Sequence, residues 1–273
     1  MAFFHKKSPW EIEWADLAKR EAKFAAKRRE GPTSVLVQKL DRFVPDKLSG
    51  TLNAAFLKAF EIIFEKGTGV IEKTYNKGKR ETDFKVNTYA AQVREDRKTV
   101  RNFTKQAKSA KSLNLAIASI EGIGLGFVGA GIPDIPLFIA MVLKSVYEIA
   151  LSYGYSYDTD EKIFILKVIE AAMCDEEAFR EKNEALNEDI HQITLAGDSM
   201  PEGSWKVSKA EQMRATSACL SQEMIYTKFL QGQFVIGIAG GIFDPIYVNR
   251  ISDYAVLKYR RRFLESKKSG FTG

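Results

Sequence analysis

The stretch from Leu113 to Tyr155 is the most apolar part of the chain, and it is broken by glycines and by two prolines around one aspartate. It contains Gly122-Ile-Gly-Leu-Gly-Phe-Val-Gly-Ala-Gly131, then Ile132-Pro133-Asp134-Ile135-Pro136, then an uncharged run to Leu143. A membrane-spanning helix needs about 18 apolar residues in succession. Gly122 to Pro133 supplies 12 uncharged residues, and the prolines on either side of Asp134 forbid one helix from passing through. The segment therefore reads as a helical hairpin. Its first helix carries Leu113, Ile117 and Ile120; its second starts at Asp134, a capping residue, and runs to about Ser152, where Tyr153-Gly154-Tyr155 ends it. A second glycine-rich run, Gly232 to Gly241, lies within the 15 uncharged residues from Phe229 to Phe243. Asp244-Pro245 follows it and opens a last helix that ends in Lys258, Arg260, Arg261 and Arg262.

Elsewhere apolar residues recur at steps of three and four, and no stretch alternates with period two. The expected fold is all-α: a multi-helix bundle built around the glycine-rich hairpin. One helical domain covers residues 1–273, with an N-terminal helical arm at about 8–44 and a core at about 50–265. Ser8-Pro9-Trp10-Glu11 is a helix start with a capping box. Leu52, Phe56, Phe60 and Ile63 mark a helix between Asp46 and Glu65. Glu81 to Ser112 reads as one long helix, with Arg94, Lys98, Arg101, Lys105 and Lys108 on one face and Val93, Val100, Phe103, Ala107 and Ala110 on an adjoining one. Asp158-Thr159-Asp160-Glu161 opens a helix to Met173. Cys174 to Lys206 is polar and reads as a loop, and Ser208 to Leu230 is helical again.

A net charge of +6 and a pI near 9.1 favour anionic partners. Two cysteines, Cys174 and Cys219, make no disulfide framework, and the N-terminus lacks the apolar region of a secretory signal, so a cytoplasmic protein is expected. Gly124-Leu-Gly-Phe-Val-Gly129 matches a dinucleotide fingerprint in letters only, because no strand precedes it and Pro133 follows. Scattered histidines and cysteines give no metal site and imply no cofactor; Cys174 with His191 lacks the surroundings of a nucleophile. The glycines suit close helix packing, with shallow bilayer insertion as the alternative. The five-cation stripe suits a solvated face or a membrane surface. Nucleic acid is disfavoured, since no aromatic residues interleave with the cations.

The segment Gly124 to Tyr155, with Gly-Ala-Gly-Ile-Pro-Asp, an apolar helix and Tyr153-Gly-Tyr155, resembles the core of the EcsC protein family. Gly237-Ile-Ala-Gly-Gly241, Asn249 and Tyr259-Arg-Arg-Arg-Phe-Leu264 are similar to that family's second signature. The resemblance implies a helical bacterial protein, encoded in the founding case beside an ABC transporter, with no assigned reaction or cofactor. It singles out Gly124, Gly129, Pro133, Asp134, Gly154 and Asn249 as pattern positions.

Two functional expectations follow. The first is a peripheral accessory or binding protein at an anionic cytosolic membrane surface, or on a membrane-protein complex, using Arg94, Lys98, Arg101, Lys105 and Lys108. The second is a hydrolase using Asp134 with Glu121, Asp244 and Asn249 as neighbouring polar groups. A buried cleft uniting those four would favour the second; an apolar tip near Phe127 to Ile132 ringed by cations would favour the first. The sequence sets neither a substrate nor an oligomeric state.

Overall fold

The computed structural model describes residues 7–29, 46–110, 134–157, 159–197, 205–230 and 245–269. Among these the chain is helical, with no strand. Both glycine-rich runs, the first helix of the expected hairpin and the part of the expected N-terminal arm beyond Arg29 lie outside the described residues.

Helix α1 (Pro9–Arg29) starts on the expected capping box: Glu11 N–H donates to Ser8 Oγ at 3.2 Å and Ser8 N–H to Glu11 Oε2 at 2.7 Å. Helix α2 (Asp46–Ile62) buries Leu52, Phe56 and Phe60 on one side, then widens into a π-helical turn (Ile63–Gly67) before α3 (Thr68–Glu72). The single long helix expected from Glu81 to Ser112 is two helices, α4 (Lys77–Val93) and α5 (Arg97–Ser109). Asp96 breaks it: its carboxylate accepts from Thr99 N–H at 2.8 Å, and Thr99 Oγ1 accepts in return from Asp96 N–H. Val100, Phe103, Ala107 and Ala110 are buried as expected, but Val93, at the end of α4, is exposed.

Helix α6 (Asp134–Ser152) matches the expected second hairpin helix. Its stretch Ile135–Ser152 is the one helix among the described residues long and apolar enough to cross a membrane. It is instead buried inside the bundle, packed on α2, α4, α5 and the last helix. A helix apolar on every face is stable only when surrounded on every face, and here other helices do the surrounding. It ends at Gly154, whose φ of 86° is left-handed; Gly154 N–H donates to Leu151 O, and Tyr155 N–H reaches back to Ala150 O at 3.0 Å.

Helix α7 (Thr159–Met173) is buried against α9 (Lys209–Leu230) and α10 (Pro245–Ser269). Between α7 and α9 the expected loop is largely a helix, α8 (Glu176–Leu195). Asp175 caps it, and Phe179, Leu186, Ile190 and Ile193 form a narrow apolar seam onto α7 and α10. Four apolar residues at steps of seven, four and three are enough for one buried stripe, while the other faces stay polar. Helices α6 and α10 form the centre. α2 and α9 pack together and flank it through α6 and α7; α1, α4 and α5 lie against the α6–α10 pair.

Gly154 fits only as glycine. A Cβ there would sit 2.3 Å from Phe84 Cζ, and the left-handed backbone disfavours any side chain. Gly154→Ala should therefore destabilise the fold by about 2–4 kcal/mol, strain and overpacking combined. Adding Phe84→Ala should relieve the clash without relieving the strain. Urea unfolding checks both; an unchanged midpoint for Gly154→Ala would contradict the close approach.

Candidate functional site

The run Lys258-Tyr259-Arg260-Arg261-Arg262 would be expected at a solvated helix end, yet α10 continues to Ser269 and the run is buried or half-buried. Each cation is met by an acid from another helix. Arg260 donates to Glu13 Oε2 at 2.5 Å, to the Glu13 carbonyl at 3.0 Å and to Asp16 Oδ2 at 2.9 Å. Lys258, fully buried, donates to Glu21 Oε1 at 3.1 Å and to Asn187 Oδ1 at 2.7 Å. Arg261 forks onto Glu21 at 2.5 and 3.0 Å. Arg262 reaches both oxygens of Glu161 on α7 and lies 4.0 Å from the Tyr155 ring centre. Thus four cations of α10 face four acids, three of them on α1.

The titration behaviour follows this burial. Desolvation lowers Lys258 to about 8, with Glu21 opposing it. Burial pushes Asp16 up, but hydrogen bonds from Arg20 and Arg260 outweigh it and hold the carboxyl at about 2. Glu21 is likewise held low by Arg261 and Lys258 against its own burial.

A second buried cluster joins α4 to α6. Lys144 and Glu148, one turn apart on α6, form an ion pair, and it is buried. Arg80 completes it, donating to Glu148 Oε2 at 2.5 and 3.0 Å and to the Gln106 carbonyl at 3.0 Å. Nearby, Tyr75 donates to Tyr157 at 2.8 Å and Tyr157 to Glu72 at 2.5 Å. These contacts tie α3, α4, α5 and α6 together. Within them Arg80 and Lys144 are both paired with Glu148.

An open cleft of about 510 Å³ lies between α1, α5 and the start of α10. Its floor is apolar, from Phe24, Val256 and Leu257. Its walls are cationic: Arg20, Lys23 and Lys27 from α1, Lys108 from α5, Arg250 and Arg260 from α10, against Asp253 alone among the lining acids. Ile246 stands exposed at its edge, and Asn249 lines it. Arg20 is engaged by Asp16 at 2.7 Å, and Arg250 by Glu223 at 2.5 Å. Lys23 and Lys27 are exposed and carry no ion pair among the described residues.

The structure divides the expected cationic stripe. Lys98, Arg101, Lys105 and Lys108 share one exposed arc of α5. Arg94 does not belong to it: it lies in the extended turn before α5 and pairs with Asp96 at 2.7 Å. Arg101 leans toward Glu13, 3.9 Å away, and so is tied to the buried network. Lys108 lines the cleft, while Lys105 lines a separate polar groove beside α4. Of the four polar groups considered for hydrolysis, Glu121, Asp244 and the side chain of Asp134 lie outside the described residues, and Asn249 lies in the cleft. Gly124, Gly129 and Pro133 are also outside. Cys174 is buried and donates to the Ala171 carbonyl, whereas His191 is exposed and sits 3.9 Å from Glu265; they form no dyad. The cleft itself was missed. Arg20, Lys23 and Lys27 are visible in the sequence as a charged face of α1, but nothing in their spacing says that α5 and α10 stand opposite.

Removing Arg260 should leave Glu13 charged and uncompensated in the interior. Arg260→Met is expected to cost about 3–5 kcal/mol, with much of it recovered by adding Glu13→Gln; urea midpoints measure both. Alkaline pH tests the burial separately. Burial raises Tyr153 to about 12 and lifts Tyr254 and Tyr259 well above the ordinary value. The folded chain thus keeps protons that an unfolded tyrosine yields near pH 10, so this stability is intact below about pH 10 and lost above it. Lys258 acts with the opposite sign: between pH 8 and 10.5 the unfolded chain binds the extra proton, so stability rises there. Melting temperature should climb from pH 8 to about 10 and then fall, and Lys258→Met should remove the climb alone.

No curated protein and no solved structure matches this chain. A family model does: that of the EcsC protein family, over residues 11–264. The matched region begins within α1 and ends in α10 just beyond the basic run, so it includes both sides of the buried ion-pair array and all the residues lining the cleft. The chain belongs to the EcsC protein family.

Proposed function

We propose that this protein acts as a peripheral accessory or binding protein on an anionic membrane surface at the cytosolic side. What carries the reading is the convergence of cations from three separate helices on one side of the fold. Lys23 and Lys27 of α1, Lys108 of α5 and Arg250 of α10 line one cleft, and Lys98 and Lys105 lie on the same exposed arc of α5 as Lys108. Lys23, Lys27, Lys98 and Lys105 carry no ion pair among the described residues, whose buried cations are matched by acids.

Lysines near an anionic lipid surface contribute about 1 kcal/mol each, so a handful supports reversible attachment. Firm attachment needs an apolar contact as well. Ile246, exposed at the edge of the cleft, lies on the proposed contact side, two residues after Asp244, where the glycine-rich apolar run of the sequence ends. The apolar helix α6 plays no part in this reading, because it is enclosed by the bundle.

Lys98 and Lys105 are the residues to change, since Arg101 is tied to the buried Glu13 and its reversal would disturb the fold. Lys98→Glu with Lys105→Glu should weaken binding to anionic vesicles by at least tenfold, and salt should weaken the wild type in the same direction, with screening over about 10 Å at 0.1 M. Vesicle flotation measures it. Wild-type protein that ignores anionic vesicles at low salt would end this reading.

A further inference from the structure

Among the described residues, the candidates outside the ion-pair array include the cleft between α1, α5 and α10, the polar groove beside α4, and the small cavity between α7, α8 and α9. The groove beside α4 mixes Asp83 with Lys79 and Lys105, and its one buried carboxylate, Glu148, is consumed by Arg80 and Lys144. The cavity near Cys174 and Cys219 is lined by the Glu170–Lys182 ion pair, so its charges are matched, and burial raises the Cys219 thiol. The cleft is different, because its charge is unbalanced.

Arg20, Lys23 and Lys27 stand at steps of three and four on α1, so like charges are stacked along one helix face. Such spacing is locally unfavourable, by a few tenths of a kcal/mol per pair. Asp16 answers Arg20, but among the described residues no acid answers Lys23 or Lys27. Arg20 commits only its Nε to Asp16, and Arg250 commits only Nη1 to Glu223, so other N–H groups of both guanidiniums remain as donors at the cleft wall. The side-chain amide of Asn249 adds a neutral donor. Beneath these groups lie Phe24, Val256 and Leu257.

Resting on the surface-binding reading above, we infer that this cleft is a selective site for the phosphomonoester head group of an anionic lipid. A phosphomonoester carries a charge between −1 and −2 near neutral pH and has three acceptor oxygens, which suits two ammonium groups and two partly committed guanidiniums better than a single carboxylate does. The apolar floor and exposed Ile246 suit the start of an acyl chain rather than a fully hydrated ion. A volume of about 510 Å³ accommodates a head group and its glycerol.

The test uses the full chain and phosphatidylcholine vesicles doped either with phosphatidic acid or with phosphatidylserine, matched in surface charge. The wild type should prefer phosphatidic acid. Lys23→Ala with Lys27→Ala, both exposed positions, should lose that preference, with binding to phosphatidic acid falling roughly thirtyfold for two lysines. Lys98→Ala with Lys105→Ala should weaken both vesicle types alike and keep the preference. Short-chain phosphatidic acid should compete with vesicles far better than glycerol 3-phosphate or inorganic phosphate. Equal wild-type binding to the two vesicle types overturns the cleft site and leaves surface attachment standing. Absence of binding to either overturns both. Equal competition by glycerol 3-phosphate overturns the lipid as source, making the ligand a soluble phosphate ester.

Discussion

The fold depends on a strip of positive charge placed inside it. Lys258, Arg260, Arg261 and Arg262 lie within four turns of the end of α10, and water solvates none of them fully. Buried charges are tolerated only when paired with good geometry and further hydrogen bonds. Here the pairing comes from elements distant in sequence: Glu13, Asp16 and Glu21 on α1, and Glu161 on α7. The attachment of α1 is therefore electrostatic as much as apolar. Trp10, Trp14 and Phe24 add to it through ring contacts with Phe263, Arg261 and Tyr254. Replacing the whole array by apolar residues need not weaken the fold, but it would remove the register that a fork such as Arg261–Glu21 imposes on two packed helices.

This constraint places the candidate site. Once α1 is seated by Glu13 and Glu21, an adjoining face turns Arg20, Lys23 and Lys27 toward α5 and the beginning of α10. The same helix thus supplies acids to the interior and, beside them, cations to the cleft. Arg101 and Arg97 lie near Glu13 as well, at 3.9 and 3.8 Å, so the inner network and the outer basic arc meet at one carboxylate. Any ligand that neutralises the cleft acts on a helix whose seat is already balanced, which is why the proposed attachment requires no unfolding of α1.

The enclosure of α6 is the second constraint. Its composition alone is compatible with a membrane span, and its position decides otherwise: Phe138, Ile139, Val142, Leu143 and Val146 contact protein on all sides. Two polar residues on it, Lys144 and Glu148, are also internal and are completed by Arg80 of α4. Ser145 pairs with Ser252 of α10 at 2.7 Å, which fixes the contact between the two central helices. A lipid-facing helix would have no use for such partners.

Much of the architecture was legible in the residues. The capping box at Ser8, the span of α6, its stop at Gly154 and the absence of strands among the described residues all follow from local rules, because caps, left-handed turns and helical periodicity act within a few residues. The break at Asp96 and the helix after Asp175 were legible in principle too, as capping residues, but a run of charge around each hid a narrow apolar stripe. The pairing of Lys144 with Glu148 was readable at i,i+4; its burial and its third member, Arg80, were not. By itself the sequence determined an all-helical chain with a surplus of positive charge. Only the tertiary structure decided which cations are spent inside, on Glu13, Asp16, Glu21 and Glu161, and which remain outside around the cleft. The physical reason is that charge pairing acts through space, over a few ångströms, between residues as much as 247 positions apart, and no local pattern carries that information.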